Sequence, residues 1–443
     1  MRYLPHTEED IQTMMARIGV KNFEELFPTV PRDCRHDEAM ALPPPHTEWE
    51  IDAHMEELRS MMSMGAQGNV LVGAGSYHHN IPSIIPSLTS RSEFLTAYTP
   101  YQPEMAQGTL QGVFEYQTLT ARLLGVDVAN ASMYDGASAL AEGLLMALRL
   151  SRKKKKVAVS RAVHPHYRDV VATYFRPTEF EVVELPFQED GRTDLSSLSD
   201  ISDLAAVALQ SPNFFGVLED LQAAATVIHA QEALLVAGFT EPLAFGLFKN
   251  PGSQGADIVC GEGQSFGIAR SFGGPGLGMF GCKEQFVRNM PGRLVGETVD
   301  LEGKRGFVLT LATREQHIRR EKATSNICSN QGINTITATM YMAALGGSGI
   351  AKLARLNYDK AAYMKERLAE AGATLFAAPG FNEFVVEFSG DFSGAHKALL
   401  QENIFAGLEL GRYYPELQGR YLFCVTETTP RAVIDRIVEE VKK

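Results

Sequence analysis

The segment Asp257-Ile-Val-Cys-Gly-Glu-Gly-Gln-Ser-Phe-Gly-Ile-Ala-Arg-Ser-Phe-Gly-Gly-Pro-Gly-Leu-Gly-Met-Phe-Gly281 constrains the fold more than any other. It opens with a short apolar run, Ile258 to Cys260, of the length and type of a buried strand. It continues as a loop with glycine at almost every turn, where the backbone can take positive φ and approach another group closely. A buried strand that ends in such a loop belongs to a sheet that presents ligands at its strand ends.

The flanking sequence supplies the rest of that sheet. Ala131 to Tyr134 leads into Asp135-Gly-Ala-Ser-Ala139 and a long Ala/Leu helix reaching Leu150. Val157 to Ser160 reads as a strand, and Glu179 to Leu185 alternates like a half-exposed one. Ala205 to Leu209 and Ala233 to Val236 read as buried strands around a helix over Leu218 to Gln231. Leu277 to Phe280 returns from the glycine loop. Strands alternating with helices imply an α/β fold with a largely parallel sheet covered on both faces.

Both ends differ in texture. Thr7 and Thr47-Glu-Trp-Glu50 cap two helices joined by a linker with Pro43-Pro44-Pro45. Ile11, Met14, Met15 and Ile18 form one apolar face; Ile51, Met55, Leu58 and Met62 form a second, expected to point inward. Such an arm covers either its own domain or a partner chain. Past residue 330 a helix-rich stretch to Ala371 precedes strands at Ala373 to Phe376, Phe384 to Phe388 and Tyr421 to Val425. A last helix carries Thr429 as cap and Pro430 in its first turn. The expected organisation is an arm over 1–64, a large α/β domain over 65–330 and a small α+β domain over 331–443.

Composition excludes several classes. The net charge of −12 over 443 residues argues against nucleic acid as a partner. The one basic run, Arg152 to Lys156, follows a helix whose C-terminal dipole favours cations. Five scattered cysteines without CxxC spacing suit a reducing cytoplasm and no structural zinc. The first ten residues lack an apolar signal region, and no apolar run approaches the ~20 residues of a membrane span. A cytoplasmic location is expected.

Three weaker signals fall just past the strands. Asp135-Gly-Ala-Ser-Ala139 opens a helix and could seat an anion, or simply cap the helix. His164 could stack on a planar ring, or serve structure alone, and Asn213 closes another strand end. His78 and His79 are adjacent and diverge, so no metal site is expected from them. Gly261-Glu-Gly-Gln-Ser-Phe-Gly267 has the wrong spacing for a dinucleotide loop.

The order of these positions resembles the fold-type I enzymes that use pyridoxal phosphate. Three longer segments narrow the resemblance: Tyr77-His-His-Asn-Ile-Pro82; Tyr98-Thr-Pro-Tyr-Gln-Pro-Glu104 with Gln107-Gly108; and Thr313-Arg-Glu-Gln-His-Ile-Arg-Arg-Glu-Lys-Ala-Thr-Ser-Asn-Ile-Cys328. All look like glycine dehydrogenase (decarboxylating), the P-protein family of the glycine cleavage system, and the likeness runs from the first helix to the C-terminus. That family has a long single-chain form and a split form of two half-length subunits. The present chain resembles the first subunit of the split form.

The resemblance carries expectations for each residue. The family's cofactor lysine falls near Gln264 or Ser265, which have no amine, and the aspartate beneath the pyridine ring falls at Ala237. A second subunit is therefore expected to hold pyridoxal phosphate, with two copies of each chain and no cofactor bound covalently here. Thr324, Ser325 and Asn326 are expected to line the partner's phosphate site. Tyr77, His78, Asn80, Tyr98, Thr99, Tyr101, Gln102 and Glu104 are expected to bound the glycine pocket and the entry of the lipoyl arm of H-protein. The implied reaction, of the oxidoreductase class, decarboxylates glycine and passes the aminomethyl group to that lipoyl cofactor. Two alternatives stay open: a pseudoenzyme that scaffolds or regulates such an enzyme, and a self-sufficient pyridoxal phosphate lyase or aminotransferase.

Overall fold

The computed structural model describes residues 5–36, 38, 40–62, 69–151, 153–311 and 316–443. Met1 to Leu4, Gly65 to Gly68 of the loop before the first motif, Arg152 of the basic run, and Thr313, Arg314 and Glu315 of the third motif lie outside the described residues. The chain divides into two compact units, residues 1–63 and 64–443.

In the first unit the caps anticipated from sequence form. Helix α1 (Glu8–Ile18) begins at Thr7, whose side chain accepts from the Asp10 N–H, and ends at Gly19 with φ 90°. Helix α2 (Glu48–Met61) begins where Glu50 accepts the Thr47 N–H at 2.7 Å. The apolar stripes do not close on each other. Met15 is the one buried side chain of α1, and Ile51, Met55, Leu58 and Met62 are between 42% and 57% exposed instead of pointing inward. Two helices and a linker are too little chain to enclose two stripes.

The second unit begins with short helices α3 (Ile84–Thr89) and α4 (Ser92–Leu95), then α5 (Gln107–Leu124). Strand β1 (Val128–Ala129), helix α6 (Gly136–Ser151), β2 (Lys156–Ser160), α7 (Pro165–Phe175), β3 (Glu181–Leu185), β4 (Leu204–Gln210), α8 (Leu221–Ala230), β5 (Leu234–Phe239), β6 (Ile258–Glu262) and β7 (Gly278–Cys282) follow. They build a seven-stranded sheet in the order β1-β7-β6-β5-β4-β2-β3. The pairs from β3 across to β6 are parallel, while β7 pairs antiparallel with both β6 and β1. All seven residues of β4 are buried, as expected for a central strand covered on both faces. Helix α8 starts later than expected because Asp220 caps it, accepting from Ala223 N–H.

A hairpin that periodicity did not reveal comes next, β8 (Leu294–Val299) with β9 (Arg305–Thr310). Two glutamine side chains of α5 hold it. Gln107 bonds both the N–H and the C=O of Phe307, and Gln117 does the same to Val295, all at 2.8–2.9 Å. Beyond the four-residue helix α9 (Gln316–Arg319), the long helix α10 (Gly332–Glu370) is broken at Gly346, whose φ of 62° and ψ of 175° are not helical. Its first part packs Ala338, Tyr341 and Met342 into the core of the larger sheet. Its second part gives Ala361, Met364 and Leu368 to the core of a smaller antiparallel sheet. That sheet has the order β10-β11-β13-β12, from β10 (Thr374–Leu375), β11 (Glu383–Glu387), β12 (Leu408–Glu409) and β13 (Arg420–Cys424), with helices α11 (Ser393–Gln401) and α12 (Arg431–Val441). Pro430, rather than Thr429, stands at the α12 cap; the Thr429 hydroxyl accepts the Thr426 N–H instead.

Candidate functional site

The ends of β2 and β6, the start of α6 and the loops over 74–76 and 269–276 meet at one cleft. At the end of β6, Glu262 is buried against the first turn of α6. Its carboxylate accepts the Gly136 N–H at 3.0 Å, the Leu277 N–H at 2.7 Å and the Gln264 N–H at 3.1 Å. Burial raises its pKa, and those three N–H groups oppose the rise. The helix start that could seat an anion is thus occupied by the chain's own carboxylate. Gln264 is equally committed: its amide oxygen accepts Tyr77 N–H at 2.9 Å and its nitrogen donates to Ile268 C=O at 2.7 Å. Ser265 is buried beside it.

Past β2, His164 caps α7 and donates from Nε2 to Ala74 C=O at 3.0 Å. Burial pushes its pKa down to about 4, so the ring is neutral. The loop Gly73-Ala74-Gly75 lies against it, with three successive positive φ angles of 62°, 55° and 86°. A Cβ on Gly75 would sit 3.1 Å from the imidazole, so only glycine lets this loop cover the ring. Asn213, past β4, takes no part in the cleft. Its side chain ties the turn at Gly216 by accepting Phe215 and Val217 N–H, and donates to Gly191 C=O.

The strand that carries Ala237 is longer than expected. Ala237 lies inside β5, which runs three residues further than the apolar pattern placed it, and the first acid beyond the strand is Glu241. Its carboxylate is fully buried and paired with His79 Nε2 at 2.8 Å. Glu427 takes the other ring nitrogen of His79, also at 2.8 Å, and accepts Asn80 N–H at 2.6 Å. Burial opposes a charge on His79, but the two carboxylates outweigh it and raise its pKa to about 10. Burial alone would raise Glu427, yet its contacts with His79 and Asn80 bring it down to about 2. Nearby, burial lifts Glu383 to about 8, while the Tyr77 hydroxyl (2.8 Å) and the Ala74 N–H (2.7 Å) donate to it.

The residues expected to form one pocket fall in two places. Tyr77, His78 and Asn80 line a hollow of about 280 Å³ with Gln264 and Arg270, beside the cleft. Tyr98 and Thr99 line a separate hollow with Arg293 and Gly332, and Arg293 donates to the Thr99 hydroxyl. Tyr98 and Tyr101 are 71% and 80% exposed, and Gln102 and Glu104 are exposed too. Thr324, Ser325 and Asn326 border an open depression of about 700 Å³ with Arg320 and Glu142. The Ser325 hydroxyl already donates to Glu142 at 2.7 Å. Sequence reading missed Glu262 as a lining residue of the cleft and Glu241 as the buried partner of His79. The available signal was an acid set between glycines or before a proline directly after a buried strand.

The family model for the glycine cleavage system P-protein matches residues 1–441. The chain belongs to that family. A probable glycine dehydrogenase (decarboxylating) subunit 1 from Desulfotalea psychrophila is 63% identical, over 100% of this chain and 99% of that protein. One of the same description from Desulforamulus reducens is 48% identical, covering 98% of each. A crystal structure of glycine decarboxylase (P-protein) of the glycine cleavage system, in inhibitor-bound form, superposes with a TM-score of 0.89 at 41% identity, covering 100% of this chain and 99% of that one. A Burkholderia pseudomallei sphingosine-1-phosphate lyase superposes at 0.64 with 14% identity over 94% of each chain, which shows the shared α/β fold.

Within this P-protein chain the cleft does not fit pyridoxal phosphate. No amine stands at Gln264 or Ser265. A carboxylate holds the Gly136 N–H that a phosphate would need, and the 73–75 loop covers the imidazole. Among the described residues no group of three His, Cys, Asp or Glu could hold a metal ion, and no helix is long and apolar enough to cross a membrane.

Proposed function

We propose that this chain is the subunit of a two-subunit glycine decarboxylase that does not anchor the cofactor. The partner subunit carries the lysine and the pyridoxal phosphate, with two copies of each chain in the assembly. The complex decarboxylates glycine and passes the aminomethyl group to the lipoyl arm of H-protein. The observation that carries the reading is the Glu262 carboxylate on the Gly136 N–H, a negative charge in the place of the cofactor's own. The relatives named as subunit 1 support it.

Bound in the partner, the cofactor supplies the electron sink for loss of carbon dioxide. This chain supplies walls. Thr324 is half-buried at the rim of its depression, and its hydroxyl is suited to donate to a phosphate held by the neighbour. Asn326 is exposed beside it, and Ser325, spent on Glu142, orients the turn. The exposed Tyr98, Tyr101 and Met105 become buried against the partner, where they exclude water and bound the glycine pocket and the lipoyl entry with Gln102 and Glu104.

Co-expression with the second subunit tests the reading. Borohydride reduction followed by peptide mapping places the reduced cofactor on a lysine of the partner; a labelled lysine in this chain would overturn it. Replacing the partner's lysine abolishes glycine-dependent carbon dioxide exchange, whereas Ser265→Ala changes it less than about threefold. Thr324→Ala weakens retention of the cofactor by the complex about tenfold, or about 1.4 kcal/mol. Unchanged exchange rates in Tyr98→Ala, Tyr101→Ala and Thr324→Ala together would favour a scaffold without a part in the site.

A further inference from the structure

The cleft of this chain is not filled by its own plug. Between the 73–76 loop, the start of α6 and the glycine loop after β6 it keeps a cavity of about 500 Å³. This cavity and the hollow beside His78 share Gln264, Ala269 and Arg270 as walls. We propose that it binds a small α-amino carboxylate, ammonium end toward Asp135 and Glu262 and carboxylate end toward Arg270. The proposal goes beyond decarboxylation in the complex and does not depend on which subunit holds the cofactor.

Charges of both signs line the cavity. Glu262 and Asp135 lie together in its wall. A Cβ on Gly276 would fall 2.9 Å from Glu262 Oε2 and 3.2 Å from Asp135 Cβ, so the glycine strand passes close to both. Asp135 spends Oδ1 on the Ser138 N–H at 2.8 Å, and its Oδ2 has no hydrogen bond among the described residues. Neither acid has an ion-pair partner among those residues. Two unneutralised carboxylates repel phosphate and attract an ammonium group. Tyr134, Tyr167 and His166 form walls of the kind that favour a cation over their ring faces.

Arg270, where this cavity meets the hollow beside His78, supplies the opposite sign. Arg270 is half-buried and has no hydrogen bond or ion pair among the described residues. It stands close enough to His78 to add to the effect of burial in lowering that imidazole's pKa. A guanidinium without a partner in a cavity wall is matched by a carboxylate, which it can hold through two parallel N–H bonds. A simple amine would leave Arg270 unmatched, and a simple acid would meet the two carboxylates. A zwitterion satisfies both ends.

Equilibrium dialysis of labelled glycine against the two-subunit complex is the test. Two saturable sites per subunit pair are expected, one at the partner's catalytic centre and one here. Arg270→Ala and Asp135→Asn each weaken the second site at least tenfold and leave the first in place. Asparagine keeps the acceptor for the Ser138 N–H, so α6 stays capped, and Arg270→Ala serves as an independent variant because it removes no internal bond. Methylamine and acetate, tried separately, compete for the second site at least tenfold more weakly than glycine. A single site per pair, two sites in both variants, or equal competition by methylamine or acetate would each overturn the proposal. Loss of the first site instead of the second in these variants would overturn it as well, whereas a complex that shows this site but no glycine-dependent exchange would count against the decarboxylase reading alone.

Discussion

His79 sits between two carboxylates with its side chain only 3% exposed, and its removal would strand both. Leaving a buried charge without its partner costs ~3–5 kcal/mol, so His79→Ala should lower the unfolding free energy of the second unit by that amount in urea melts. The pH dependence has a definite sign. His79 is raised from 6.5 to about 10, so its contribution is full below pH 6.5 and is lost as pH rises through 10. Glu427 is lowered from 4.5 to about 2, so its share is full above pH 4.5 and is lost as pH falls through 2. Glu383, raised from 4.5 to about 8, contributes below pH 4.5 and loses that contribution as pH rises through 8. Stability should therefore be greatest near pH 4.5, fall as pH drops toward 2, and fall as pH rises, more steeply above 6.5 where His79 joins Glu383. His79→Gln should flatten the limbs; a curve of unchanged shape would refute the assignment. Sequence showed His79 as a member of a motif but not its role, because the acids that charge it stand 162 and 348 positions away.

Individual elements were legible wherever the determinant is local. Thr7, Asp10 and Gly19 define α1 within thirteen residues, and Thr47 with Glu50 defines the start of α2. The hairpin β8–β9 was not legible, because its clamps are on α5. Gln107 stands 200 positions from Phe307, and Gln117 stands 178 from Val295. Gln107→Ala removes three hydrogen bonds, one to Pro103 C=O and two to the Phe307 backbone, and leaves that backbone pair to find water, at a cost of ~1–3 kcal/mol. The amide of Phe307 should then exchange its hydrogen at least tenfold faster, with the β4 amides unchanged as the internal control. The length of β5 was misjudged for a related reason. Gly238 and Thr240 read as a strand end, yet Gly238 pairs with Cys260 and stays in the sheet.

At the scale of the whole molecule, sequence conveyed the α/β class, the parallel centre of the sheet and the family, but not which surfaces stay bare. The helical arm leaves Trp49 72%, Met61 75% and Met55 57% exposed, a density of apolar surface that marks an interface. We expect this arm to pack on the partner subunit. Replacing Ile51, Met55 and Leu58 together by serine should shift the complex toward free subunits on size exclusion, with the circular dichroism of this chain retained. An unshifted elution volume would exclude the arm from assembly. The carboxylate at the start of α6 has a last consequence, for rescue by vitamin. A protein that binds its coenzyme gains stability by mass action when more is supplied, roughly 2.7 kcal/mol at a hundredfold excess over the dissociation constant. On the proposed reading, Glu262 on the Gly136 N–H denies this chain that support before it meets its partner. Folding lesions here would not answer to pyridoxine supplementation, whereas lesions in a coenzyme-binding subunit could.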